Sequence, residues 1–419
     1  MNSEKTMSMI NTAELYRMPW TMSDNGFTWL EPTRKCNLAC EYCYQRNDPK
    51  SEKSLDQIEI ELRTMFRLRK CDTLLIAGGE PLTHPGIVSI TKMVKAFGAK
   101  PVILTNGHAL TAALLGDLKK AGAYGFVFHV DSHQSRPGWE GKSEKELNNL
   151  RQKFADMVDE EGGLVCAFNT TILPETLNEV PDIVDWTTRN IHKVAANLLI
   201  PVRAAHPDDP WDYYAGAQKI AIEKTPYTSP KPYKHLSAID ICEKILKVHP
   251  HYRFHSYLGG TILPDAPKWL FGTHIGSSKR LYGNLGPKTA EIVQNVYHLF
   301  TGKYLSFTRP KINNKARLIF PLMLIDRGVR TAFKQRFFTL LKKPLAVFEK
   351  LSIQNLIVMQ PHDLLPNGEQ DECDGCPNKT YWNGRLVSEC RKEDYLLYGR
   401  PIMTVCKQSV AEAANHLNQ

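Results

Sequence analysis

Short apolar runs alternate with longer amphipathic stretches through the first half of the chain. The runs are FTWLEP (27–32), TLLIAG (73–78), PVILTN (101–106), GFVFHVD (125–131), LVCAFNT (164–170) and KVAANLLIP (193–201). Each has the length of a buried strand, and several are rich in β-branched and aromatic residues. Between them lie segments such as SLDQIEIELRTMFRLRK, PGIVSITKMVKAFG and SEKELNNLRQKFADMVDEEGG, with apolar residues at i, i+3 and i+4. Six such alternations within residues 25–205 predict an α/β fold, a partial (β/α)6 TIM-like barrel with a parallel sheet and outer helices. Chemistry in such folds sits at the C-terminal ends of the strands.

Beyond residue 205 the alternation stops. Residues 206–300 are mixed and include a Pro-rich loop, TPYTSPKPYKH (225–235). Residues 303–350 then carry twelve Lys/Arg against two acids, Asp326 and Glu349, about the whole of the chain's +9 excess. Such a patch suits an acidic partner such as a phosphorylated substrate, an anionic membrane surface or nucleic acid, or it is a solvated helical face. Within it, VRTAFKQRFFTLL (329–341) puts Val329, Phe333, Phe337 and Leu340 on one side, and Phe338 spoils the pattern. A core-docked helix is expected there rather than a membrane anchor. The domain expectation is an N-terminal extension (1–24), the barrel core (25–205), a mixed and helical region (206–350) and a mixed, Cys-rich C-terminal extension (351–419).

With 419 residues, 42% of them hydrophobic, the chain can bury a sizeable core. No stretch reaches 18 apolar residues, and LIFPLMLI (318–325) is too short to span a bilayer. The first twenty residues show no basic region followed by an apolar run, so the expectation is a cytoplasmic protein, at most peripheral to a membrane. Sequence-specific DNA-reading motifs are absent, and nucleic acid is not a favoured partner.

The cysteines change the picture. CNLACEYCY (36–44) spaces three thiols as C-x3-C-x2-C directly after the first strand. In a reducing compartment clustered cysteines favour metal over disulfide. Cys36, Cys40 and Cys43 could hold three corners of a [4Fe–4S] cluster and leave the fourth iron open, or hold zinc with one further residue. Near the other end, CDGCPNKTYWNGRLVSEC supplies Cys373, Cys376 and Cys390, with Cys406 beyond. A second Fe–S cluster or a zinc ion could sit there, its fourth ligand being Cys406, Cys242 or the substrate. Cys71 and Cys166 fall in or beside strands and are expected as buried apolar residues.

C-x3-C-x2-C with Tyr42 before the last cysteine resembles the signature of the radical S-adenosylmethionine (SAM) family. AGGEPLTHP (77–85) is similar to that family's GGEP motif, LTNG (104–107) to its third-strand motif and FHVDS (128–132) to its fourth. FNTTILPETLNEVPDIVDW (168–186) and NLLIPVR (197–203) resemble its fifth and sixth strands, so the likeness covers about half the chain. The resemblance implies that Cys36, Cys40 and Cys43 ligate a [4Fe–4S] cluster whose open iron chelates SAM. It implies that Gly78, Gly79 and Glu80 receive the methionyl ammonium and that Tyr42 lies against the adenine. Thr105, Asn106, Asp131 and Asn169 are weaker candidates for the SAM pocket. His129 stands where the family often has a small Ser, and it could bond SAM, face the substrate or be a core histidine. The tail resembles a reduced SPASM or twitch auxiliary-cluster extension, with four cysteines against the seven of a full SPASM pattern.

The activity implied is reductive cleavage of SAM to a 5′-deoxyadenosyl radical, which takes a hydrogen atom from an unactivated C–H bond. The substrate would be a peptide, a lipid-linked compound or another natural product, and the electron donor a flavodoxin or ferredoxin. The alternative is an Fe–S- or zinc-stabilised binding protein that has lost SAM cleavage; the intact GGEP and cysteine motifs speak against it.

Overall fold

The computed structural model describes residues 10–229, 235–365 and 367–407. Residues 1–9 of the expected N-terminal extension and 230–234 of the Pro-rich loop lie outside them.

Each apolar run forms a strand. After a short β1 (Tyr16–Arg17) come β2 (Asp24–Thr33), β3 (Lys70–Gly78), β4 (Lys100–Thr105), β5 (Gly125–His129), β6 (Val165–Ile172) and β7 (Val194–Pro201). Neighbours from β2 to β7 pair in parallel and in chain order. The crossovers carry α1 (Leu55–Leu68), α2 (Ile87–Ala96), α3 (Ala112–Lys120), α4 (Glu144–Glu161) and α5 (Val180–Arg189). Local chemistry starts these helices where the sequence suggests. The Ser54 and Thr111 side chains cap α1 and α3, and Ser143 with Glu146 closes a capping box on α4.

Strand alternation divides two cores. Leu74, Ile76 and Ile103 pack with helix residues Ile58, Leu62 and Ile90. Leu75, Ala77 and Val102 face the other way, joining Trp29, Val127 and Val165 in a cluster without helices, the barrel interior. Phe307 packs against that interior cluster, edge-on to Phe27 at 5.5 Å. Its carbonyl accepts bonds from Lys100 Nζ and the Tyr124 hydroxyl, at the N-terminal ends of β4 and β5. The start of the basic segment thus plugs the end of the barrel opposite the motif-bearing rim.

The sheet does not stop at β7. Strands β8 (Trp211–Ala215) and β9 (Gln218–Ile220) form a small separate sheet with Met403–Cys406. After α6 (Ala238–Val248), β10 (Ser256–Leu258), β11 (Trp269–Ser277) and β12 (Arg280–Asn284) extend the main sheet. Its order is β1-β10-β11-β13-β7-β6-β5-β4-β3-β2, where β13 is Ser352–Met359 and β12 pairs β11. β13 runs parallel to β7 and antiparallel to β11, so the C-terminal segment begins inside the main sheet. Edge strand β2 is covered by the hairpin of Lys379–Trp382 and Arg385–Ser388: Tyr381 and Leu386 pack on the helix-side core, and Thr28 Oγ1 donates to Lys379 O at 3.0 Å.

Helices α7 (Pro287–Thr301) and α8 (Arg327–Lys342) share one anchor. The buried Asp326 carboxylate accepts the Gly286 and Thr289 N–H groups of α7 and the Val329 N–H of α8. The buried side of α8 is Val329, Ala332 and Arg336, whose guanidinium meets Tyr282 Oη at 2.6 Å. The expected side containing Phe337 is therefore displaced: Phe337 and Phe338 are both at least half exposed, because the buried Arg336 takes the inward turn. Among the described residues no helix is long and apolar enough to cross a membrane. After Lys392–Tyr398 (α9), the described chain ends just beyond the strand Met403–Cys406.

Candidate functional site

The cysteine loop leaves the end of β2 and is stitched to the end of β3. Gly79 N–H donates to Thr33 O at 3.0 Å, and Glu80 N–H to Lys35 O at 2.8 Å. The two glycines make this approach possible. A Cβ on Gly78 would meet the Thr33 carbonyl and the Glu31 side chain, and one on Gly79 the Arg34 and Lys35 carbonyls. Gly78 also holds φ of +112°, open to glycine and costly for other residues. Asn47 fixes the start of the loop by a reciprocal pair with the Cys36 backbone, 3.0 Å each way. The far side is held by Glu41 N–H on His133 O at 2.9 Å.

Glu80 is fully buried, and its carboxylate joins two motifs. It accepts Leu82 N–H at 3.0 Å, Thr105 Oγ1 at 2.6 Å and Asn106 N–H at 2.7 Å. Burial pushes its carboxyl up, against the pull of these donors. Most of its acceptor capacity is already engaged in aligning the ends of β3 and β4. Asn106 carries the alignment to the cysteines: its side-chain amide lies 3.9 Å from Cys36 Sγ and 2.8 Å from Asn37 Oδ1.

At the end of β5, His129 Nε2 meets Asp131 Oδ2 at 2.8 Å and Thr171 Oγ1 at 3.1 Å. Asp131 is buried; burial would raise its carboxyl, but His129 and the His133 N–H hold it below the ordinary range. Asn169 is buried on β6 beside His129, and its carbonyl accepts Val130 N–H. Tyr42 packs edge-on against His133 at 6.1 Å. Thus Glu80, Thr105 and Asn106 are bonded together next to Cys36, while His129, Asp131 and Asn169 gather on the neighbouring strands.

Arg136 escaped sequence reasoning. It is 4% exposed, and it donates to Asn106 O at 2.7 Å, His129 O at 3.3 Å and Gln134 Oε1 at 2.9 Å. It ties the ends of β4 and β5 together and places a cation near Cys40, Asp131 and Glu80. A lone Arg in a polar loop gives no local signal of burial.

The thiols suit a soft polynuclear group. Cys36 and Cys40 are pushed up by burial first, then by neighbouring negative groups: Glu80 for Cys36, and Asp131, Cys43 and Cys36 for Cys40. Cys36 hinders the ionisation of Cys40 and Cys43, and buried thiols held neutral by negative neighbours are a donor set that a cationic iron–sulfur group would relieve. Among the described residues, no three His, Cys, Asp or Glu side chains are grouped to hold one metal ion.

Cys376 lies by the start of β2, whereas Cys390 follows Glu389, which Gln45 of the first loop bonds. Arg69 donates to Cys376 O at 2.7 Å, and Asn25 Nδ2 to Gly375 O at 2.8 Å, both near the N-terminal ends of β2 and β3. Asn25 and Thr33, where the first loop departs, are eight residues apart on one strand, about 26 Å. Cys373, Cys376 and Cys390 act on one another: the bond from Cys373 holds Cys376 down at about 6, and burial and Cys376 push Cys390 up. Cys406 stands opposite Trp211 in the small sheet, whereas Cys242 lies in an apolar cluster with Ile241 and Ile245. Cys71 and Cys166 are buried.

The tail also grips the base of the first loop. Lys392 Nζ meets Glu31 Oε1 at 2.6 Å, both nearly inaccessible. Gln45 bonds Glu31 and Glu389, and Glu393 pairs with Arg34 and accepts Arg46 N–H. Burial, then Glu31, pushes the Glu389 carboxyl up to about 8.

Residues 30–187 match the profile of the radical SAM superfamily. The chain is 26% identical over 213 residues to a GTP 3′,8-cyclase of Chlorobaculum tepidum, covering 49% of this chain and 62% of the relative. It is 27% identical over 187 residues to an AdoMet-dependent heme synthase of Methanosarcina barkeri, covering 43% and 51%. The chain therefore spans between half and two thirds of the length of these curated relatives. Among solved structures, SuiB of Streptococcus suis bound to S-adenosylmethionine aligns at 16% identity and a TM-score of 0.39, covering 59% of this chain and 51% of that one.

Proposed function

We propose, from the premise that residues 30–187 are a radical SAM domain, that this chain cleaves SAM reductively and uses the radical to abstract hydrogen from an unactivated C–H bond. The observation that carries the reading is the hydrogen-bonded junction of Glu80, Thr105 and Asn106 beside Cys36 at the strand ends. Cys36, Cys40 and Cys43 would hold a [4Fe–4S] cluster, which when bound supplies the electron that splits the sulfonium. The chain's own residues do the positioning. Gly78 and Gly79 let the β3 backbone lie against the loop, and Glu80 fixes Thr105 and Asn106. Asn106 directs an amide toward the first thiol, and Arg136 holds the ends of β4 and β5 in register. Tyr42, His129, Asp131 and Asn169 would line the space for SAM, with His129, partly exposed and oriented by Asp131, nearest to a role at the substrate.

A peptide, a lipid-linked compound or another natural product is the proposed substrate class, and a flavodoxin or ferredoxin the electron donor. Cys373, Cys376 and Cys390 would hold a second cluster or a zinc ion.

The test is anaerobic reconstitution, reduction with dithionite and addition of SAM. Formation of 5′-deoxyadenosine, abolished by Cys36→Ala/Cys40→Ala/Cys43→Ala, is the expected result. No 5′-deoxyadenosine above background from an iron-replete protein would leave the binding-protein alternative standing.

A further inference from the structure

We propose that the surface formed by α8 and the two 3-10 segments flanking it, Ala316–Leu324 and Pro344–Phe348, lies on an anionic lipid bilayer. This goes beyond the SAM-cleaving reading and does not depend on it. The first segment and α8 pack inward on one small core that includes Ala316, Val329 and Ala332, and the second segment buries Ala346. Arg317 clamps the first segment to the last by bonding Val347 O and Glu349 O, and Arg336 bonds Ala346 O. With their inner sides committed, the outward side chains are unusually apolar. Leu324 is 76% exposed, Leu345 80% and Phe348 81%, and Phe337, Phe338 and Leu341 project from the last turns of α8 at half exposure or more. Isolated exposed apolar residues are ordinary; a run of large ones on packed neighbouring elements marks an interaction surface.

Charge selects the partner. Both acids of residues 303–350 are consumed internally: Asp326 caps α7 and α8, and Glu349 receives Ser277, Tyr282 and Arg280. The exposed charges among the aromatic residues are all cations, with Arg327, Arg330 and Lys334 on the outer side of α8 and Lys342 and Lys343 at its end. Exposed Phe and Leu interleaved with Lys and Arg, on a helix lying along the surface of the fold, complement an anionic headgroup layer over an acyl interior. A second copy of the same face would set cation against cation, which disfavours self-pairing.

Full-length protein floated with phosphatidylcholine vesicles, with and without phosphatidylglycerol, tests the assignment. It should float with the anionic vesicles and far less with neutral ones, and salt should weaken the association. Lys334→Glu/Lys342→Glu should lower the partition coefficient at least about tenfold. Phe338→Ser/Leu341→Ser should lower it as well, and thermal melting should be unchanged because these side chains face outward. Three results overturn the proposal: no flotation with anionic vesicles, flotation unaffected by both double variants, or a dimer seen by light scattering that the same substitutions dissolve.

Discussion

Replacing Glu80 with Gln tests whether the carboxylate is the joint between two strand ends. The change keeps size and removes one acceptor. Oε1 accepts Leu82 N–H and the Thr105 hydroxyl; Oε2 accepts Asn106 N–H. An amide nitrogen in either place faces a backbone N–H that it cannot accept. One hydrogen bond to a charged acceptor is lost, worth about 1.5–3 kcal/mol, and a buried donor is left unmatched at about 1–3 kcal/mol. Relief of the buried charge offsets part of this, since burial already pushes the Glu80 carboxyl up. A net loss of about 2–3 kcal/mol remains, which at roughly 2–4 °C per kcal/mol for a large domain lowers Tm by about 4–12 °C. The assay is differential scanning calorimetry under anaerobic conditions, with SAM affinity measured by equilibrium dialysis on the same samples. SAM binding should weaken because Thr105 and Asn106 lose their alignment. A Gln variant that melts within a degree of the parent refutes the joint. A variant that melts lower but binds SAM normally keeps the joint and removes Asn106 from the site.

Lys392→Met leaves Glu31 buried without its ion-pair partner; a loss of about 3–5 kcal/mol by urea titration is expected, and Glu31→Gln in the same chain should recover part of it. Burial holds His255 down at about 4 and His274 at about 3, so below pH 6.5 the unfolded chain takes up protons first. The stability these two histidines contribute is full above that pH and falls as pH drops toward about 4, against the opposite and smaller slope of Glu389, whose raised carboxyl favours the folded chain below about 8; a urea midpoint that rises from pH 7 to 5 would contradict this. In a Cys373/Cys376/Cys390→Ala variant, iron should fall by about half if the tail holds a second four-iron cluster, whereas unchanged iron with stoichiometric zinc in the parent identifies a zinc site.

The six parallel strands and their helices are legible in the sequence because each is coded locally, by a short apolar run and an amphipathic stretch with its cap. The place of GGEP beside the cysteine loop is legible for the same reason, since both follow strands that pair. What local pattern cannot carry is pairing at long range. β13 enters between β7 and β11, and nothing within SIQNLIVM says which neighbours it takes. Glu80 reads as an open carboxylate in the motif, whereas the adjacent end of β4 supplies two of its three partners. Arg136 and the grip of Lys392 on Glu31 depend on segments up to 361 residues apart meeting in space. Helical periodicity misplaces the aromatic side of α8, because it cannot show that an arginine, Arg336, turns inward to meet Tyr282.

The pairing of β1 bears on how the chain matures as it is made. Among the described residues, Tyr16–Arg17 pairs within the main sheet only with the strand Ser256–Leu258, some 240 residues later. At about 5–20 residues per second, that partner emerges roughly ten to fifty seconds afterwards. The parallel strands 24–201 can assemble meanwhile, because each finds its neighbour in the next segment to emerge. The opening strand then joins a structure already standing, so a nascent chain stalled before residue 256 should leave its first segment open to protease.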